Sequence, residues 1–161
     1  MRAMKQIAET DWDEMGASVD ICTLPHSADD LKQRYGVQFI KYEEPGIGEM
    51  CAAVLSVDDV KFRVYSPVLE EHQNLVVQVL SHEADSLLAL NTFVGFLGLE
   101  KNQLKWIADE LGPARWVLTR LDDNDNEVEM FRFQTEVSAN WVRNKYEERG
   151  HKQSYYVRKL K

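Results

Sequence analysis

Arg149, His151, Lys152, Gln153 and Tyr155 are the side chains of this sequence best suited to holding a ligand. Gly150 ends a helix there, and the strand after it displays an imidazole, an ammonium and an amide. A tyrosine pair follows, Tyr155 and Tyr156, which strand alternation sends to opposite faces. This reads as a polar, aromatic contact patch at one end of a sheet. Catalytic sets are harder to assemble. His82, Glu83 and Asp85 sit where a strand gives way to a helix, a place that suits acid–base chemistry. They lack H-E-x-x-H spacing, and a helix macrodipole draws acids to its start in any case. Cys22 with His26, or Cys51, could supply a nucleophile, but none lies in a nucleophile motif. Asp122 to Asn126 begins like a calcium loop, with oxygens at alternate positions. Glu127 then replaces the required glycine and Phe133 the bidentate glutamate, so the run reads as a tight turn. Gly46 and Gly48 have no lysine beside them and cradle no phosphate in the P-loop manner. The expectation is therefore no catalytic residue, no metal and no cofactor.

The elements that must carry the patch are best marked near the C-terminal end. Arg115–Leu121 and Glu127–Phe133 read as two strands of a hairpin, Thr135–Arg149 as a helix, and His151–Lys159 as a closing strand. Upstream, Leu75–Leu80 reads as a central strand and Ser86–Gly98 as a helix apolar on nearly every face. Glu100–Leu111 reads as a second helix, with Leu104, Ile107, Ala108 and Leu111 at i, i+3, i+4, i+7. From residue 75 the order is thus β-α-β-β-α-β, a ferredoxin-like unit with a four-stranded antiparallel sheet. The first half adds a short helix within residues 1–15 and strands at Ala17–Leu24, Val37–Tyr42, Met50–Val57 and Val60–Tyr65. A helix at Leu31–Tyr35 follows a Ser27–Asp30 capping box. The polar, acidic stretch Pro67–Asn74 is the expected boundary. The predicted class is α+β: a β-rich half over 1–73, and a ferredoxin-like half over 74–161 whose sheet the first half extends or packs upon.

Two segments, Arg120-Leu121-Asp122-Asp123-Asn124-Asp125-Asn126 and Arg149-Gly150-His151-Lys152-Gln153-Ser154-Tyr155, resemble the R-L-D-D-N-G-N and R-G-H-K-Q-T-Y-W pattern of short bacterial proteins described as SPOR-like. Asp125 stands at the pattern's turn glycine, Ser154 at its threonine and Tyr156 at its last aromatic. The likeness covers residues 115–158. It implies a bacterial origin, a ferredoxin-like sheet and, as one function, binding of cell-wall glycan on the sheet face.

Composition narrows the class. The chain has 161 residues, 44% apolar and 29% charged, which suits a globular fold rather than disorder. Two cysteines without C-x-x-C spacing read as buried, reduced thiols. Acidic residues interrupt the first fifteen positions, so no leader is expected, and the apolar run Leu87–Leu99 is shorter than the roughly 20 residues a bilayer needs. A cytoplasmic protein is expected. Charge divides unevenly: residues 1–112 hold 9 Lys and Arg against 19 Asp and Glu, a net of −10, while residues 113–161 hold 10 against 8, a net of +2. An acidic body disfavours nucleic acid, whose phosphates need a cationic face, and suits a basic protein partner. The expected function is non-enzymatic protein binding, of regulatory or immunity type, through the acidic first half. The alternative is glycan or small-ligand binding on the later sheet. The apolar helix Leu87–Leu99 also leaves a homodimer open.

Overall fold

The computed structural model describes residues 3–11, 18–68, 74–81, 84–150 and 152–161. His82, Glu83, His151, most of the acidic stretch expected as a boundary (69–73) and residues 12–17 of the expected first helix lie outside the described residues. In order the elements are β1 (Met4–Ile7), β2 (Val19–Leu24), α1 (Ala28–Tyr35), β3 (Ile40–Glu44), β4 (Gly48–Val57), β5 (Val60–Pro67), β6 (Leu75–Val79), α2 (Ser86–Leu97), β7 (Trp106–Ile107), β8 (Trp116–Leu121), β9 (Glu127–Phe133), α3 (Glu136–Glu148) and β10 (Ser154–Lys159).

They form two sheets. The larger has seven antiparallel strands in the order β1-β4-β5-β6-β2-β7, with β3 also pairing β4. β4 is long enough to take two partners on one edge: β1 covers Val54–Val57 and β3 covers Gly48–Ala52. Gln6 ties the two together, donating from Nε2 to the Gln38 carbonyl at 2.6 Å and accepting the Gln38 N–H at 2.9 Å. β4 and β5 are joined by Asp58-Asp59, both at positive φ (49° and 65°), the left-handed pair that a two-residue hairpin requires. Asp tolerates that region better than most side chains, which is why this turn works without glycine.

One face of the large sheet is covered by α1 and α2. Val64, Phe62, Leu75, Val77 and Leu55 point into it, and Leu31, Leu90 and Phe93 come down from the helices. Phe62 and Phe93 meet with ring centroids 4.7 Å apart. The capping box at Ser27 and Asp30 forms, and Gly36, at φ 71°, closes α1. The Tyr35 hydroxyl then donates to the Leu97 carbonyl at 3.1 Å and locks α1 to the end of α2. Asp85 caps α2, accepting the N–H groups of Leu87 and Leu88. The result is a layer of two helices on an antiparallel sheet, with a mainly aliphatic core.

The smaller sheet has three antiparallel strands in the order β10-β8-β9, with α3 on one face. Its buried set is Leu118, Phe133, Ala139 and Tyr155, packed round by Phe131, Tyr146 and Trp116.

The ferredoxin-like arrangement is corrected by this topology. β6 (Leu75–Val79) pairs with β5 and β2 in the large sheet, not with β8 or β10. A ferredoxin-like unit needs that strand beside the closing one, so what remains after residue 115 is a three-stranded ββαβ unit. The ferredoxin-like sheet that the SPOR-like resemblance implied falls with it. The physical reason is that β6 is apolar on alternate positions, Leu75, Val77 and Val79, and these fill the core beneath α2. The helix expected over Glu100–Leu111 is also absent. Glu100 and Gln103 do form a capping box, but it opens only a 3-10 turn over Lys101–Gln103. Lys105 N–H then bonds the Thr23 carbonyl and Ala108 N–H the Ile21 carbonyl, both at 3.0 Å, and the chain adds β7 to the sheet edge. Leu104, Ile107 and Leu111 pack on the core from this extended path, so helical spacing was satisfied without a helix. Residues 3–11, expected as helix, instead hold β1 and a 3-10 turn at Glu9–Asp11.

Residues 74–107 thus complete the large sheet begun by 4–67, and the break in pairing comes between Ile107 and Trp116. That connection is pinned. Ser86, fully buried at the start of α2, donates its N–H (2.9 Å) and its hydroxyl (3.2 Å) to the Gly112 carbonyl and accepts the Gly112 N–H at 2.9 Å. Gly112 has φ 149°, a conformation that favours glycine. Gln134 donates from Nε2 to the Ala84 carbonyl and fastens the small unit a second time.

Candidate functional site, the cleft between the two sheets

The face of the large sheet opposite α1 and α2 is not uniformly polar or apolar. Cross-strand partners share a face, so the register sets out its rows. One row runs Lys5, Ser56, Lys61 across β1, β4 and β5. Neighbouring strands lie about 4.8 Å apart, which places the two lysine backbones roughly 10 Å apart with the serine between them. The next row runs Ile7, Val54, Arg63, Gln78 and Asp20. The small unit stands over the Lys5–Ser56–Lys61 end of this face and leaves a cleft of about 1010 Å³. That is near the upper end of the range for small-ligand sites.

The two walls differ. The sheet wall offers the ammonium groups of Lys5 and Lys61 and the hydroxyl of Ser56. The opposite wall, from β9 and α3, offers Phe131, Trp141 and Tyr146 with Lys145 and Arg149. The rings on that wall already carry cations: Lys145 Nζ lies 5.3 Å from the Trp141 ring centre, and the Arg149 guanidinium 4.7 Å from that of Tyr146. Tyr146 is wedged from two further sides, by Tyr155 at 5.5 Å and Phe131 at 6.2 Å. Trp141 is 55% exposed. Asp11 and Asp59 complete the charged lining, so the cleft holds four Lys or Arg against two Asp in a chain whose net charge is −8. The cleft inverts the sign of the molecule around it.

Behind the lysine row lies a polar layer. The Arg63 guanidinium sits between the rings of Tyr42 (5.2 Å) and Tyr65 (5.1 Å) and donates to the Tyr42 hydroxyl. The Tyr65 hydroxyl donates to the Asp20 carboxylate at 3.1 Å. Burial, with the Asp20 charge beside it, pushes the Tyr65 phenol up to about 12, while burial holds Arg63 below its ordinary range. Arg63 Nε and Gln78 Oε1, on paired residues, are buried without a hydrogen-bond partner among the described residues.

No family model, no curated protein and no solved structure matches this chain.

The patch read from sequence is dispersed around one wall of the cleft. Arg149 lines it. Tyr155 is buried beneath, its ring tilted against that of Tyr146, and its hydroxyl donates to Gln153 Oε1 at 3.4 Å. Lys152 is exposed, and His151 lies outside the described residues. Arg149, Tyr146, Tyr155 and Gln153 therefore form one connected chain of contacts whose cleft end is Arg149. Cys22 lies in the core between β6 and β7, where burial pushes its thiol up to about 12, far from a nucleophile's range. His26 contacts the Arg34 guanidinium at 3.3 Å, and burial followed by that charge lowers its pKa. The Asp122–Asn126 run is a turn, with Asp122 accepting the N–H groups of Asn124 and Asn126.

Sequence reading missed Lys5, Ser56, Lys61, Trp141 and Lys145 as a set. Their convergence depends on β1 pairing with β4 across fifty residues, a register that no local pattern carries. The usable signal was narrower: Lys5 and Lys61 each sit on a strand at the position where alternation turns polar.

Proposed function

We propose that the chain is a non-enzymatic, cytoplasmic binding protein and that the cleft between its two sheets holds an anionic ligand. The observation that carries this reading is the row Lys5–Ser56–Lys61 facing Lys145 and Arg149, a concentration of positive charge in an acidic protein. Two lysines flanking a hydroxyl supply donors for a phosphate or carboxylate. Each ammonium–anion contact at 4 Å is worth about 1 kcal/mol in water and up to about 4 kcal/mol in a partly desolvated site. Among the described residues, neither Lys5 nor Lys61 is engaged in an ion pair. Calorimetric titration with inorganic pyrophosphate tests the reading. Binding is expected at low ionic strength, weakening as salt shortens the Debye length to about 8 Å, and falling by at least tenfold in Lys5→Ala/Lys61→Ala. Heat that is absent, or unchanged by that double substitution, would reject it.

A basic protein partner stands as a second reading, on a different observation. Glu43 and Glu49 are direct partners across the β3–β4 hairpin, a like-charge pair that costs stability, and Ile47 at its tip is 69% exposed. Salt-sensitive binding of a lysine-rich peptide, lost in Glu43→Gln/Glu49→Gln, is what this reading expects. Binding indifferent to both changes would remove its basis.

A further inference from the structure

We infer that the ligand of the cleft is a nucleoside diphosphate or a close chemical equivalent: a flat ring joined to a short chain of anionic groups. This rests on the anion reading above and adds the second half of the ligand. The cleft is two-sided in its chemistry. The sheet wall has hydroxyl and ammonium groups and suits phosphate oxygens. The α3 wall has three aromatic rings, and they differ in what they have left to offer.

Phe131 and Tyr146 are committed to the small core, Tyr146 between Tyr155, Phe131 and Arg149. Trp141 is not. It is more than half exposed at the rim, and its ring meets the ammonium of Lys145, one helical turn on. A large apolar ring left in water beside a cavity is the surface that gains most by stacking. A base stacked there also has Lys145 within reach of its first phosphate, because Lys145 and Trp141 lie on the same side of α3 (i, i+4). The remaining phosphate then falls to the lysines of the opposite wall. Each half of the ligand thus meets a surface of matching chemistry.

The same charges limit its length. Asp11 and Asp59 are also in the lining, and the body outside the cleft is acidic. A polynucleotide would extend its phosphates into that negative field, and a mononucleotide ends before it. The ligand is therefore small and free rather than a segment of nucleic acid.

Three probes separate this inference from the one beneath it: adenosine diphosphate, inorganic pyrophosphate and adenosine, each titrated against the full chain and against Trp141→Ala. Trp141 is exposed enough that its removal leaves the small core intact, which the circular dichroism of the variant checks. Adenosine diphosphate is expected to bind at least tenfold more tightly than pyrophosphate, and adenosine more weakly than either. Trp141→Ala is expected to cost adenosine diphosphate roughly 5- to 150-fold, the range for loss of one base–aromatic stack, and to leave pyrophosphate unchanged. Equal affinity for adenosine diphosphate and pyrophosphate would overturn the ring while leaving the anion site standing. Silence from both would overturn the two together. Tight binding of a single-stranded oligonucleotide, exceeding that of adenosine diphosphate, would overturn the limit on length.

Discussion

The large and small sheets solve the same packing problem with different side chains. The large unit closes on aliphatic residues, Leu24, Leu31, Leu55, Leu75, Leu90 and a bank of valines, with Phe62 and Phe93 at the centre. The core cluster of the small unit has four buried residues, two of them aromatic, and the rings of Trp116, Phe131 and Tyr146 pack against it beside Met130, Val142 and Val157. Three strands and one helix cannot enclose that many rings. Some therefore reach the surface, and Trp141 reaches it at the cleft. The comparison teaches that the sheet rich in aliphatic core fixes the scaffold and the lysine row, while the aromatic-rich unit supplies stacking surface. A thin, ring-built unit is also the one expected to open first.

Several substitutions would break or sharpen that contrast. The largest effect is expected from Phe62→Ala, which removes a fully buried ring in contact with Phe93 and should cost about 3–5 kcal/mol in global stability by denaturant unfolding. A cost below about 1 kcal/mol would mean that this core is not the scaffold. Leu118→Ala, in the small core, should cost about 2–5 kcal/mol. Hydrogen exchange should show the loss confined to β8, β9, β10 and α3, with β4 to β6 still protected. Loss of protection in both sheets at once would merge the two units into one.

Acid should separate them further. His26, in the large unit, has its pKa lowered from the ordinary 6.5 by burial and Arg34. The folded state thus favours the neutral ring, and its contribution is whole above pH 6.5 and lost as pH falls toward the folded value. Asp30, held below 3.8 by the Ser27 N–H and hydroxyl, contributes above that pH, and its contribution is lost as pH falls through the lower folded value. Asp122 does the same for the small unit's turn. Protection of α1 in hydrogen exchange should weaken from about pH 6.5 downward and again below about pH 4, and His26→Asn should remove the upper step. The β8–β9 turn should weaken only in the lower range. An upper step that survives His26→Asn would assign it to another group. The smallest effect is expected from Glu49→Lys, which turns a repulsive cross-strand pair into an attractive one and should stabilise the β3–β4 hairpin by about 0.2–1 kcal/mol.

Much of the local structure was legible in the sequence, and for physical reasons. Ser27 and Asp30 form a capping box because both partners are three residues apart, and the strands β4, β5, β8 and β9 follow alternation or unbroken apolar runs. What failed was partner choice. Leu75–Val79 looks the same whether its neighbours are β5 and β2 or β8 and β10, so the order of elements suggested a ferredoxin-like unit that the pairing does not make. Leu104, Ile107 and Leu111 failed differently: their spacing fits a helix, but the free edge of β2 offered backbone hydrogen bonds to the same segment. The site shows both limits. Arg149 stood out because a glycine and a polar strand start follow it, whereas Lys5 and Lys61 meet only through the register of three strands.

The most direct test of the cleft is a proton–nitrogen NMR titration of the full chain with inorganic pyrophosphate. Saturable shifts of the Lys5, Ser56, Lys61 and Arg149 amides, reversed by salt, are what this account expects. Shifts confined to the β3–β4 hairpin, or none at any concentration where the protein stays folded, would contradict it.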